Sequence, residues 1–556
     1  MYSNKENVNI LTALLVAHGV RCAVVCPGSR NAPIVHNFNA CPDMECYAVT
    51  DERSAGFYAL GISLATGLPV AVCVTSGTAL LNLAPAVAEA YYQHVPLIVI
   101  SADRPQRWID QLDGQTLPQP DALGRFVRKS VALPEIPAGS SHADEERWHC
   151  NRLVNEALLD AQFRSGAPVH INVPISEPLF QFTQSALPRE RKIERRFPRG
   201  DDPEVEKVMT RAILNAKRPM IVIGQTRSDF ICDDAYRQVM RALSEHFVVL
   251  TERLCNYGIE TVHFDEVLYQ VGDDMRYQPD VVAYAGDSIV SKRLKRFLRN
   301  AEGVQVYRLS TDGAVADTFL HLSEITVFHP EHALAGIASR ADESAADPSF
   351  CALWQESLRR ASRHAEQYLP DYSQMAAVKW FEEHFSGGVV HYANSTSIRL
   401  ANIYSGHPVY CNRGVNGIEG SLSTAAGFSV VSQERVFCVI GDLSFFYDQN
   451  ALWKQNLRGN FRILLLNNEK GGIFNQLKGL EQSSARDRYV AGEHHASAEG
   501  ICMQNDIVYL KAVDEEQMRR GIGQLRAMES RRPVLLEVFT DDAKDEQAFR
   551  DYYRSL

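Results

Sequence analysis

Asp442 and Asn468 stand 26 residues apart, and each closes an apolar run: Val436–Ile440 before Gly441-Asp442, and Ile463–Leu466 before Asn467-Asn468. The stretch between them reads as helical, which makes a strand, helix, strand unit. A right-handed crossover would bring both strand ends to one edge of a parallel sheet, where open α/β sheets bind ligands. A carboxylate, a side-chain amide oxygen and a loop carbonyl suit a hard cation such as Mg2+, with phosphate oxygens filling the remaining octahedral positions. Nearby helix N-termini could take the phosphate charge. The same pattern fits an ordinary βαβ unit with polar strand ends, and this segment alone does not separate the two.

Two further groups of residues have chemistry to offer. Glu52 follows the short apolar run Tyr47–Thr50 and opens a helix rich in small residues, AGFYALGISLATG; an acid there also simply favours the helix dipole. Asn412–Gly420, NRGVNGIEG, gathers glycines and asparagines around Ile418 and precedes a second small-residue helix, Ser421–Gly427. That is the composition of a tight loop approaching a ligand closely, or of a Gly-rich turn over a buried Ile. Cations recur at strand ends: Arg30 in Pro27-Gly28-Ser29-Arg30, Arg104 in Ala102-Asp103-Arg104-Pro105, then Lys292-Arg293, Arg399 and Arg413. One strand-end Arg is usually solvated. Several together suggest a pocket for polyanionic substrates, because Arg binds carboxylates bidentately.

These groups need parallel sheets to position them. Apolar strands alternate with helical stretches throughout: Val70–Val74 and Leu97–Ile100, then Val281–Ala285 and Val304–Leu309, then Val389–Tyr392 and the two runs above. Three Pro-led strands begin at Pro168, Pro219 and Pro533, a position where Pro interrupts no ladder. Linkers fall in the charged run Arg189–Asp202 and in Ser339–Ser349. The expectation is an α/β chain of three doubly wound parallel-sheet domains, at about 1–188, 200–345 and 370–556. A two-domain Rossmann oxidoreductase is the runner-up, but no G-x-G-x-x-G follows a strand.

Composition narrows the function. The 556 residues carry a net charge of −11, which argues against a general nucleic-acid binder. No window holds 18 consecutive apolar residues, so no membrane span is expected. The N-terminus reads as an amphipathic helix rather than a signal peptide. Twelve scattered cysteines without C-x-x-C fit a reducing cytoplasm. His494-His495 lies in a polar stretch and reads as surface.

Taken together, the segments resemble thiamine diphosphate enzymes. The stretch from Gly441-Asp442 to Asn467-Asn468 resembles their diphosphate signature, although Leu443 replaces the usual third Gly and Lys470 the usual Gly after the second Asn. Glu52 followed by Val74–Thr78 resembles their pyrimidine domain. PGSR, ADRP, NRGxxGIxGxLSTAAG and GDLSxxYDxNAL are similar to one branch, the 2-succinyl-5-enolpyruvyl-6-hydroxy-3-cyclohexene-1-carboxylate synthase family of menaquinone biosynthesis. The likeness runs from about residue 8 to 545 and is weakest in the middle. It implies thiamine diphosphate with Mg2+ or Mn2+, bound by Asp442, Asn468 and the Lys470 carbonyl, with Leu443 and Ser444 beside the diphosphate. It implies that Glu52 hydrogen-bonds the aminopyrimidine ring nitrogen, that the Asn416 carbonyl accepts from the exocyclic amine, and that Ile418 wedges under the cofactor. Its substrates would be 2-oxoglutarate, which is decarboxylated, and isochorismate, which accepts the succinyl carbanion equivalent. Ser29, Arg30, Arg104, Gln115, Lys292, Arg293, Ser395, Arg399 and Arg413 would orient their carboxylates and hydroxyls, and Ile473 and Phe474 would line the apolar side. By the same resemblance the protein is a cytoplasmic homodimer or a dimer of dimers, with sites shared between chains and the two small-residue helices near that interface.

Competing enzymes make different demands. Simple 2-oxo acid decarboxylases of this superfamily carry a His pair after the fourth strand, and there is no His between His94 and His142. Acetolactate synthase would leave the arginines unexplained. A non-catalytic relative should have lost Glu52 or the metal ligands, and all are present.

Overall fold

The computed structural model describes every residue except 138, 197–202, 227–229, 231, 259–261, 454–455 and 477–478. Its named strands form three sheets in which every ladder is parallel. The first holds β1 (Cys22–Val25), β2 (Glu45–Ala48), β3 (Val70–Val74), β4 (Leu97–Asp103), β5 (Lys129–Ala132) and β6 (Val169–Pro174), in the order β2-β1-β3-β4-β6-β5. The second holds β7 (Pro219–Ile223), β8 (Val248–Thr251), β9 (Val281–Ala285), β10 (Gln305–Ser310) and β11 (Leu322–Val327), in the order β11-β10-β9-β7-β8. The third holds β12 (Val389–Tyr392), β13 (Val436–Gly441), β14 (Phe461–Asn467), β15 (Val508–Ala512) and β16 (Val534–Phe539), in the order β12-β13-β14-β16-β15. The continuous apolar runs of β3, β4 and β14 are buried along their whole length, as expected of parallel strands covered by helices on both faces.

Two expectations about connections are corrected. The link from β13 to β14 is not one helix. A short helix, Asp442–Tyr447, gives way to a 3-10 turn, Gln449–Leu452. At the break Asp448 turns inward, and its carboxylate accepts from Ser423 N at 2.7 Å and Ser423 Oγ at 2.8 Å. The expected linker Ser339–Ser349 is also partly ordered into regular structure, ending in the helix Pro348–Gln367, whose Trp354 is fully buried. Of the other linker, residues 197–202 lie outside the described residues.

The two small-residue helices pack against one another within the chain, rather than being reserved for a contact between chains. A Cβ on Gly61 of Glu52–Thr66 would run into the Thr424 carbonyl, and one on Gly427 of Ser421–Val431 would run into the Tyr58 backbone. One buried apolar cluster consequently runs from Val24 and Val72 in the first sheet, through Leu422 and Ala426, to Cys438 and Ile463 in the third. Adding a methyl at this crossing forces backbone apart. Gly427→Ala should therefore lose about 1–3 kcal/mol of stability, read as a lower urea midpoint. An unchanged midpoint would mean that the helices do not cross this closely.

Candidate active site

The last pair in the β13–β14 ladder is Gly441 with Leu466, so Asp442 and Asn468 emerge side by side at the carboxyl edge of the third sheet. Asp442 Oδ1 accepts from Leu443 N at 2.7 Å, and Oδ2 accepts from Asn468 N at 3.1 Å. Both residues are buried, as is Ser444, while Leu443 is half-buried. Asn468 Nδ2 donates to Asp545 Oδ2 at 3.0 Å and lies 3.5 Å from Asp542 Oδ1. Ionised carboxylates accept, so with both ionised the amide nitrogen faces them and Oδ1 faces away. Burial pushes the Asp545 carboxyl up to about 7, opposed by its bonds from Gln374 N, Thr540 and Asn468. The Lys470 side chain is held at Asp542 Oδ2, 2.9 Å away.

The donor set fits a hard cation. Among the described residues no three His, Cys, Asp or Glu side chains gather as metal ligands. A cation at Asp442 must draw on an amide oxygen, a main-chain carbonyl and oxygens of its own ligand, which is the usual Mg2+ arrangement. His494 corrects the sequence reading. His495 is exposed, but His494 Nε2 lies 3.6 Å from Asp442 Oδ2, and that carboxylate raises its pKa.

The Asn412–Gly420 loop is pinned from both sides. Asn394 Nδ2 donates to the carbonyls of Asn412 at 2.6 Å and Gly417 at 2.7 Å, and Arg413 donates to Asn394 Oδ1 at 3.1 Å. From the first domain, Glu89 accepts from Gly414 N and Val415 N, both at 2.7 Å. Glu89 is buried, which raises its pKa, and these two bonds and one from Gln93 oppose that shift. Gly420 has φ +78, and a Cβ there would collide with the Phe57 ring. Asn416 also has positive φ, at +71. Held in this way, the loop presents the apolar Ile418 side chain 40% exposed.

Glu52 is the first residue of its helix, and Asp51 caps that helix by accepting from Ser54 N at 3.1 Å. Asn82 Nδ2 donates to Glu52 Oε2 at 3.3 Å. The residues flanking Glu52 reach the third domain. Asn450 donates to Asp51 Oδ2 at 2.7 Å, and Arg53 stacks over Tyr447 while donating to its carbonyl at 2.7 Å.

The expected substrate contacts fall into separate groups. Ser29, exposed, and Arg30, buried, follow β1; Arg30 donates to Ile175 O at 2.9 Å and pairs with Glu177 at 3.1 Å. Arg104 follows β4, paired with Asp113 at 2.9 Å, and Gln115 is exposed at φ +55. Lys292, Arg293 and Arg399 line a cavity of about 830 Å3 between the second and third sheets, whose lining includes none of the first-domain group, nor Glu52 or Asp442. Arg293 pairs with Asp265 there, its guanidinium 5.1 Å from the Tyr269 ring centre and 4.4 Å from that of Tyr553. Glu252, fully buried, accepts from Val290 N at 2.7 Å and Ser291 N at 2.8 Å, fixing the turn before Lys292; burial pushes its carboxyl up to about 7. Ser395 holds φ +76, a strained backbone at the start of the Thr396–Tyr404 helix. Ile473 and Phe474 sit half-buried in a 3-10 turn, Gly472–Gln476.

Comparison with known proteins decides between the candidates. The model of the thiamine pyrophosphate enzyme N-terminal TPP binding domain matches residues 6–123. Curated 2-succinyl-5-enolpyruvyl-6-hydroxy-3-cyclohexene-1-carboxylate synthases from Phocaeicola vulgatus and Bacteroides thetaiotaomicron are 43% and 44% identical, over 100% of this chain and 99% and 100% of theirs. The one from Porphyromonas gingivalis is 35% identical over 99% of this chain and 97% of its own. The chain belongs to the 2-succinyl-5-enolpyruvyl-6-hydroxy-3-cyclohexene-1-carboxylate synthase family. Its fold of three parallel sheets is that expected of a thiamine diphosphate enzyme in this family.

Within this synthase-family chain, sequence reasoning missed Glu89, Glu252, Asp265, Asp545 and His494. Four are acids in ordinary helical or strand-end contexts, and their partners lie far along the chain. Glu89 offers the sharpest test. In Glu89→Gln one of the two accepting oxygens becomes an NH2 group that faces a loop N–H, leaving a buried donor unpaired. Thiamine diphosphate binding should weaken by about 1–3 kcal/mol in calorimetry. Unchanged affinity would mean that the loop holds its shape without this contact.

Proposed function

We propose that this chain decarboxylates 2-oxoglutarate and joins the resulting succinyl unit to isochorismate, giving 2-succinyl-5-enolpyruvyl-6-hydroxy-3-cyclohexene-1-carboxylate for menaquinone biosynthesis. The observation that carries the reading is the corner where Asp442 and Asn468 meet, with the Asn468 amide oxygen turned away from Asp545. Asp442, Asn468 Oδ1 and the Lys470 carbonyl would hold Mg2+ or Mn2+ against the diphosphate, beside Leu443 and Ser444. Ile418 would support the cofactor from below, and the Asn416 carbonyl would accept from its exocyclic amine. When bound, thiamine diphosphate supplies the nucleophilic carbon that side chains lack.

Glu52, the first residue of its helix, would sit against the aminopyrimidine ring nitrogen and hold a proton there, assisting activation of the cofactor. Lys292, Arg293, Arg399 and Arg413, with Ser29, Arg30, Arg104, Gln115 and Ser395, orient two dicarboxylates and neutralise their charge. Ile473 and Phe474 exclude water on the apolar side. By the family resemblance the cofactor would lie between the first domain of one chain and the third of another, in an isologous dimer. Among the described residues no helix is long and apolar enough to cross a membrane, and the work is assigned to the cytoplasm.

The test is CO2 release from 2-oxoglutarate that depends on thiamine diphosphate and Mg2+, with product formed only when isochorismate is added. Release with no product would favour a simple decarboxylase. Glu52→Gln should keep the fold and bind the cofactor but slow thiazolium C2 proton exchange by about 100-fold or more, the scale of a lost general acid or base. An exchange rate like wild type, followed by NMR, would remove Glu52 from this role.

A further inference from the structure

The C-terminal helix, Asp542–Arg554, touches two parts of the site that are distant in sequence. We propose that it is a strut: Asp545 in its first turn orients the Asn468 amide, and Tyr553 in its last turn orients Arg293 through Asp265. Both are positioning residues, and the inference rests on assigning Asn468 to the cation and Arg293 to substrate. Tyr553 follows Asp545 by eight positions, a helical rise of about 12 Å, so one rigid element sets both.

At the first end the bonding is specific. Asp545 Oδ1 accepts from Gln374 N at 2.7 Å, and Oδ2 accepts from Asn468 Nδ2 at 3.0 Å and Thr540 Oγ1 at 2.8 Å. As a carboxylate, Asp545 accepts from all three at once. The 3.5 Å approach of Asp542 to the same amide is too long to hold it alone. In Asp545→Asn the oxygen stays with the Gln374 N–H, so the new amide nitrogen faces Asn468. The Asn468 amide then turns over and presents N–H, not oxygen, toward the Asp442 corner.

At the other end Asp265 collects three donors: Ser291 Oγ, the Arg293 guanidinium, and Tyr553 OH at 3.0 Å. The Tyr553 ring also lies against that guanidinium. Next to it, Tyr552 OH donates to Glu266 at 2.9 Å and anchors the helix end. Tyr553→Phe keeps the ring and removes only the hydroxyl, so Asp265 is less constrained and the plane of Arg293 is no longer fixed.

The two ends have different readouts. Asp545→Asn should raise the Mg2+ concentration needed for thiamine diphosphate binding, measured by calorimetry without substrate, by about 10- to 100-fold. Tyr553→Phe should leave that Mg2+ dependence unchanged and raise KM for one of the two dicarboxylates by about 2- to 10-fold, with kcat little altered. Crossed effects of this kind are not produced by general loosening of a helix. Variants that lower the unfolding midpoint but leave both readouts as in wild type would overturn the strut, and so would variants that shift both readouts alike. If one variant fails to fold, the other still decides its own end. A wild-type chain with no Mg2+-dependent cofactor binding would overturn the functional reading and the strut together.

Discussion

The structure depends most on one close helix crossing. Gly61 and Gly427 let the Glu52–Thr66 and Ser421–Val431 helices approach backbone to backbone, each against a main-chain group of the other. Because the first and third sheets share the apolar cluster built on that crossing, their relative placement is set by packing rather than by a linker. Glu52 begins one of these helices, and the Asn412–Gly420 loop leads into the other. The crossing therefore fixes the position of both functional segments, and close-packed interiors leave little room for adjustment.

Buried acids complete what the crossing begins. Glu89 holds Gly414 and Val415, Glu252 holds Val290 and Ser291, and Asp448 holds Ser423, each by accepting main-chain N–H groups. Two of the three hold main-chain groups within or immediately before segments assigned to cofactor or substrate. This division of labour explains how a chain of net charge −11 can present a cationic pocket. Glu89 and Asp448 serve as scaffold elsewhere, and in the cavity itself, among the described residues, six Lys and Arg side chains stand against four carboxylates, Glu252 and Asp265 among them. Burial raises the pKa of each of these acids, and the bonds they accept offset part of that cost.

The sheets were legible in the sequence because fully covered parallel strands write themselves as short apolar runs with polar ends. The Asp442 and Asn468 corner was legible for the same reason: strand ends are where such sheets present side chains. The small-residue helices were recognised as close-packing elements, but composition does not say what a small face packs against, and here it is the other helix of the same chain. Asp545 and His494 were invisible because their meaning comes from partners 77 and 52 residues away in sequence, Asn468 and Asp442. Glu89, in the helix APAVAEAYY, looks like an ordinary solvated helical charge until its loop partners, more than 300 residues on, are in place. The short helix after Asp442 ends where Asp448 is drawn inward to Ser423, a contact that periodicity does not encode.

The proposed site takes Glu52 from one chain and the Asp442 corner from another, although each chain also packs its own first and third sheets together. Mixing Glu52→Gln with Asp442→Ala chains under conditions that exchange subunits tests that claim most directly. Each variant alone should be inactive. The mixed dimer holds one site built from the two intact halves, so a 1:1 mixture should recover about a quarter of wild-type specific activity. Proven exchange with no recovered activity would contradict the account and place the complete site within a single chain.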